Sequence, residues 1–172
     1  LEVNAAQKAR MIAKIRQALG ASESGKVIAV LGLTFKPETD DMRDAPSLAI
    51  LPALLDKGAQ IQAHDPQGME AAAQMLPGGV TYHDDLYEAV EGTDAVVLMT
   101  EWNQYRGLDL ARLRDLMRGD VFVDLRNVYG GEAMCVAGRS VQRADSDWGM
   151  RQCVSGAGVK ICMGSMRDGW LC

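Results

Sequence analysis

No cysteine precedes Cys135 in this chain of 172 residues. Cys135, Cys153, Cys162 and Cys172 all fall in the last 42 residues, and their spacings contain no C-x-x-C pair. The two histidines, His64 and His83, lie far upstream. That ligand spacing argues against a zinc site, and no metal is expected. An even cysteine count permits disulfides, but the body reads as cytoplasmic, where thiols stay reduced. Positive charge is also scarce. The formal net charge is −5 and the pI about 5.0, so no global basic field exists to hold nucleic acid or an anionic membrane. No apolar run approaches the ~18 residues of a membrane span, and no secretory signal pattern opens the chain. An initiating Met is missing too. Leu1 leads straight into a helical pattern without a capping residue, so the chain is expected to be part of a longer protein.

What is present is ordinary for a soluble globular domain: 48% hydrophobic and 24% charged residues. Val3, Ala6, Ala9, Ile12, Ala13, Ile15 and Leu19 form a helical stripe ended by Gly20. Residues 1–22 are read as one helical segment. Val3, Ile12 and Ile15 are expected to leave apolar surface open on it. Lys26-Val-Ile-Ala-Val-Leu-Gly32 and Asp94-Ala-Val-Val-Leu-Met-Thr100 are short continuous apolar runs, as strands buried on both faces require. Shorter strands fit 59–64, 80–82 and 120–124. Helices fit 46–57, 68–76, 85–90 and 108–118, the third capped by Asp84 or Asp85. Pro46 suits a first helical turn, while Pro52 should kink or break the helix that holds it. Strands alternating with helices predict an α/β, Rossmann-like doubly wound parallel sheet over residues 23–130, preceded by the helix. Residues 131–172 show no sustained period, apart from an apolar patch at 159–163, and are expected to form an irregular or disordered tail.

Ligands on such sheets bind beyond the C-terminal strand ends. The first such loop, Gly32-Leu-Thr-Phe-Lys-Pro-Glu-Thr-Asp-Asp-Met-Arg-Asp-Ala-Pro46, lacks both G-x-G-x-x-G and a Walker A pattern. It carries Lys36 and Arg43 among Glu38, Asp40, Asp41 and Asp44. A planar guanidinium suits a diphosphate and an ammonium suits a sugar hydroxyl or phosphate oxygen, but these charges could equally pair with one another. Arg126, in Asp124-Leu-Arg-Asn127, is placed to reach the same crevice or to bridge Asp124 or a loop acid. Asp65 could accept from a ribose hydroxyl or brace the loop before Pro66. Trp102 is read as packing rather than as a platform for a base.

The run from Gly32 to Ser47, the Thr100-Glu-Trp triplet and Asp124-Leu-Arg-Asn127 closely resemble the C-terminal, UDP-binding domain of UDP-glucose 6-dehydrogenases, over about Val3 to Tyr129. The opening Val3-Asn-Ala-Ala-Gln-Lys8 is similar to the end of that family's central helix. The resemblance implies that Phe35 and Lys36 contact the sugar part of UDP-glucose. It implies that Arg126 binds the UDP-sugar, and that Arg43 reaches across to NAD held mainly by an N-terminal domain. It implies a two-step oxidation of UDP-glucose to UDP-glucuronate through a thioester on a cysteine, in a homodimer joined by the central helix. The family's catalytic cysteine and lysine and its G-x-G-x-x-G are not matched here, so no catalytic residue is assigned in this chain, which alone should be inactive. The late cysteines stand in the wrong context to be nucleophiles. Gly130-Gly131 replaces the family's usual Asp-Pro, and a shifted reading frame, a cloning scar or divergence would each account for that. Two rival readings are a stand-alone nucleotide-binding or regulatory module and the same domain of another nucleotide-sugar dehydrogenase.

Overall fold

The period-2 and period-3.6 patterns resolve into one twisted sheet with helices on both faces. The structure, a computed structural model, describes residues 2–20, 22–129, 150–154 and 160–164. In chain order these are α1 (Glu2–Ala18), β1 (Val27–Leu31), α2 (Ser47–Leu55), β2 (Gln60–His64), α3 (Met69–Met75), β3 (Val80–Tyr82), α4 (Leu86–Val90), β4 (Ala95–Leu98), a 3-10 turn (Asn103–Gly107), α5 (Leu110–Leu116), β5 (Val121–Asp124), β6 (Met150–Val154) and β7 (Lys160–Gly164). The sheet order is β3-β2-β1-β4-β5-β7-β6. The first five strands are all parallel, and their order reverses between β1 and β4. That reversal places the switch point of the predicted Rossmann-like sheet between the loops after β1 and β4.

Alternation along the central strands explains why their sequences are apolar throughout. Ile28 and Val30 of β1 enter one core with Ile61, Val97 and Val123, against Ile15 of α1, Ile50 and Leu54 of α2 and Ala72 of α3. Ala29 and Leu31 enter the other with Val96, Leu98 and Phe122, beneath Val90 of α4 and Leu113 of α5. Each fully buried aliphatic side chain contributes about 1.5–3 kcal/mol relative to exposure. A polar residue at either parity would therefore weaken one layer.

Two expectations are corrected. Ile15 is fully buried and Ile12 packs on the same core, so α1 is docked on the domain through these residues rather than leaving them open. The helix of Ser47–Leu55 continues through Pro52, so of the kink or break expected there the break is absent. Proline's fixed φ is itself helical, so what is lost is one internal hydrogen bond in a helix otherwise anchored by Ile50, Leu51 and Leu54. Within residues 131–172, expected to be an irregular or disordered tail, the described stretches are two strands. β7 pairs parallel with β5 and β6 pairs antiparallel with β7. The apolar patch at 159–163 is the residue pattern that β7 uses.

Helix ends follow local chemistry. Asp85, not Asp84, caps α4, accepting from the backbone N–H of Tyr87 at 2.7 Å and Glu88 at 3.2 Å. Asp109 caps α5 in the same way, which moves its start from the expected Leu108 to Leu110. Arg118 and Gly119 both donate their N–H to the Thr93 carbonyl, which draws the chain out of helix after Leu116.

Candidate functional site

Four loops leave the C-terminal ends of β1, β2, β4 and β5, and hydrogen bonds tie them to one another. The first begins at Gly32, whose φ of +89° only glycine adopts without strain. Its N–H donates to the His64 carbonyl at the end of β2. Beyond it the chain is held at two carbonyls. Thr100 Oγ1 donates to the Thr34 carbonyl at 2.6 Å, and Ser47 Oγ donates to the Leu33 carbonyl at 2.5 Å. Phe35 N–H donates to the Asp41 carbonyl at 3.0 Å, closing residues 35–41 into a compact loop. Glu38 within this loop and Asp44 just beyond it take left-handed φ values of 61° and 59°, and buried Met42 and Ala45 anchor its far end.

Asp65 is the hub beneath these loops. Its side chain is fully buried and accepts from Leu33 N–H at 2.6 Å, Thr34 N–H at 3.2 Å and Thr34 Oγ1 at 3.3 Å. The same carboxylate accepts from Gln67 N–H, Gly68 N–H at 2.7 Å and Trp102 Nε1 at 3.3 Å. Of the two readings open for Asp65, bracing is the one its contacts satisfy. Trp102 is buried in the second core, as a packing residue would be. Below it, Tyr105 donates its hydroxyl proton to the His64 carbonyl, and its oxygen lies 2.7 Å from His64 Nδ1. A phenol has one proton to give, so Nδ1–H donates in that contact. Burial holds the His64 imidazolium below its ordinary range and pushes the Tyr105 phenol far above its own.

Arg126 is positioned by Asp124. That carboxylate accepts from Arg126 N–H and Tyr129 N–H, each at 2.9 Å, and Asn127 turns the chain with φ of 53°. Burial pushes the Asp124 carboxyl up, while N–H donors from Tyr129, Arg126, Val128 and Asn127 pull it back. The Arg126 side chain, 20% exposed, donates through Nη2 to Glu101 Oε1 at 3.0 Å. Arg106 Nη2 meets the other oxygen of Glu101 at 3.1 Å.

The sequence-predicted residues thus fall into separate local pairings. Phe35 is half-buried against the first core, and exposed Lys36 places Nζ 5.6 Å from the Phe35 ring centre. Arg43 is 87% exposed at its side chain and grips Asp41 with two hydrogen bonds of 2.8 and 2.9 Å. This guanidinium, together with the Arg43 N–H that donates to the same carboxylate, holds the Asp41 carboxyl down at about 2. Arg126 pairs with the acid of the next loop rather than through its guanidinium with Asp124. Sequence reasoning passed over Glu101 and Arg106. The visible signal was an acid at a C-terminal strand end with an arginine five residues on. Among the described residues no group of His, Cys, Asp and Glu side chains is arranged to hold a metal.

Residues 29–131 match the model of the UDP-glucose/GDP-mannose dehydrogenase family, UDP binding domain. A UDP-glucose 6-dehydrogenase of Rhizobium meliloti (strain 1021) is 48% identical over 127 residues, 74% of this chain and 29% of that protein. A UDP-glucose dehydrogenase structure from Pyrobaculum islandicum aligns with a TM-score of 0.64 at 37% identity, over 74% of this chain and 28% of that one. A UDP-D-ManNAc dehydrogenase from Pyrococcus horikoshii aligns with a TM-score of 0.57 at 27% identity, over 73% and 28%. This chain therefore spans under a third of the length of these relatives.

Proposed function

Because the chain belongs to the UDP-glucose/GDP-mannose dehydrogenase family through its UDP-binding domain, we propose that it holds UDP-glucose for an NAD-dependent oxidation to UDP-glucuronate completed by residues outside this chain. Phe35 and Lys36 meet the sugar part, and Arg126 meets the UDP. The supporting observation is that Arg126 and the 33–46 loop stand at strand ends around the sheet's switch point, held by buried carboxylates. A guanidinium there offers a planar fork to a diphosphate, and Lys36 offers a mobile point charge. The half-buried Phe35 ring gives a sugar an apolar face. Residues 1–22 act as the connecting helix of a cytoplasmic homodimer, and 23–130 form the binding unit ahead of the 131–172 segment.

NAD would supply the hydride acceptor for such an oxidation. The loop after β1 does not fit its diphosphate. In a dinucleotide cradle the amides at this position face the phosphates. Here Leu33 and Thr34 N–H already point at the Asp65 carboxylate. NAD is instead held mainly by residues outside this chain, with exposed Arg43 as the contribution from this side. No proton or hydride step is assigned to the described residues.

Calorimetric titration of the chain with UDP-glucose, UDP-N-acetylglucosamine and GDP-mannose tests the reading. UDP-glucose should bind, and Lys36→Ala and Arg126→Ala should each weaken it by about 1–3 kcal/mol, the worth of a hydrogen bond to a charged group. Unchanged affinity in both variants rejects the site. The chain with UDP-glucose and NAD should release no NADH, and measurable turnover overturns the assignment of chemistry elsewhere. Preference for UDP-N-acetylglucosamine or GDP-mannose would instead favour a different sugar specificity within the family.

A further inference from the structure

Arg126 and Arg106 engage the two oxygens of one carboxylate, Nη2 of Arg126 donating to Glu101 Oε1 at 3.0 Å and Nη2 of Arg106 to Oε2 at 3.1 Å. The Arg106–Glu101 pair is exposed and adds little to stability, whereas the Arg126–Glu101 pair is part-buried and fixes where the guanidinium lies. The backbone under Arg126 is already fixed by Asp124 and by the left-handed turn at Asn127. What remains free is the side chain, a long one with several rotatable bonds. Glu101 removes that freedom by engaging a terminal nitrogen. A guanidinium carries five N–H donors, so others remain for an incoming diphosphate. Arg106 serves two ends. It fixes the second oxygen of Glu101, and its charge leaves the trio at net +1, so the attraction for an anionic ligand is kept.

We propose that Glu101 is a positioning residue for Arg126 in nucleotide-sugar binding, and that Arg106 steadies it. This rests on Arg126 being a UDP-sugar contact, as argued above. Preorganising an arginine removes the cost of ordering it when the ligand arrives. Glu101 therefore raises affinity without touching the ligand.

The test is titration of UDP and of UDP-glucose into the full chain, with NMR of the Arg126 Nε–Hε group. Glu101→Gln keeps the side chain's shape and one acceptor while removing its charge. It should weaken both ligands about threefold to tenfold, the range expected for ordering one long side chain. It should also lower the order of Arg126 Nε–Hε in the unliganded chain. Arg106→Ala, at an exposed position, should act in the same direction, with Arg106→Lys recovering part of the loss. In an Arg126→Ala background, Glu101→Gln should change nothing further.

Tighter binding in Glu101→Gln would make Glu101 a competitor of the ligand and overturn the proposal. Equal losses with and without Arg126 would overturn it as well, since Glu101 would then act by another route. Unaltered affinity in Glu101→Gln and Arg106→Ala, while Arg126→Ala still loses affinity, defeats this inference and leaves Arg126 as a contact. Unaltered affinity in Arg126→Ala defeats the underlying reading and this inference with it.

Discussion

A β-carbon added to Gly32 would lie 2.5 Å from Cβ of Thr100 and 2.7 Å from its backbone nitrogen. The ends of β1 and β4 touch there without a side chain between them, and Thr100 uses that closeness to reach the Thr34 carbonyl. Gly32→Ala should destabilise the domain by about 2–4 kcal/mol, from left-handed strain and overpacking together. Urea unfolding would measure it. A loss under about 0.5 kcal/mol, the scale of an ordinary surface change, would mean that the strand ends separate easily.

Asp65→Asn keeps the size of the side chain but turns one acceptor into a donor. It would face the N–H groups of Leu33, Thr34, Gln67 and Gly68. Unfolding stability should fall by about 2–4 kcal/mol, because a buried donor is set against donors. UDP-glucose affinity should fall too, since the 33–46 loop loses its floor. Full stability in the variant would show that the hub is replaceable.

His64 supplies a pH dependence. Burial lowers its folded pKa below the ordinary 6.5, so the unfolded chain binds the extra proton more readily. The stabilising contribution is therefore complete above pH about 6.5 and declines as pH falls from there through the folded pKa. The midpoint of urea unfolding should drop between pH 7 and pH 5. His64→Gln should flatten that slope, and an unchanged slope would assign it to other groups.

Arg43 should be separable from nucleotide-sugar binding. Arg43→Ala removes the guanidinium that helps hold the Asp41 carboxyl at about 2. By NMR, the Asp41 pKa should then rise toward the ordinary carboxylate range, about 3.9, while the N–H of residue 43, which still donates to it, keeps it below that value. Affinity for UDP-glucose should stay within twofold. A large loss of affinity would move Arg43 from the cofactor side of the site to the substrate side.

The parallel α/β class and the two-sided core were legible because short apolar runs such as 27–31 and 95–98, alternating with helical patterns, suit strands covered on both faces; the spatial order of the strands was not. Lys36, Arg43 and Arg126 could be picked out because cations at C-terminal strand ends sit where ligands bind. Their pairing could not. Glu101 lies 25 residues before Arg126, and only the neighbouring positions of β4 and β5 bring the two within reach. Asp65 left two readings open for the same reason, since its donors come from segments more than 30 residues away as well as from its own loop. Pro52 misled because local propensity was weighed without the packing that keeps α2 intact. Ile15 misled because a helix at the start of the chain was judged by its own stripe, before α2 and the sheet were there to cover it.

β1 is pinned at both of its ends by carboxylates from elsewhere in the chain. Asp94 Oδ2 accepts from Val27 N–H at 2.8 Å, and Asp65 Oδ2 accepts from Leu33 N–H at 2.6 Å. Sliding the strand by one residue would break both bonds and turn Ile28 and Val30 toward the wrong core. Its amide protons should therefore exchange with solvent only through global unfolding. Every atom of the loop beyond is thus placed by dead reckoning from a strand that cannot shift. Variation in that loop can change what it presents without disturbing the origin from which its atoms are measured.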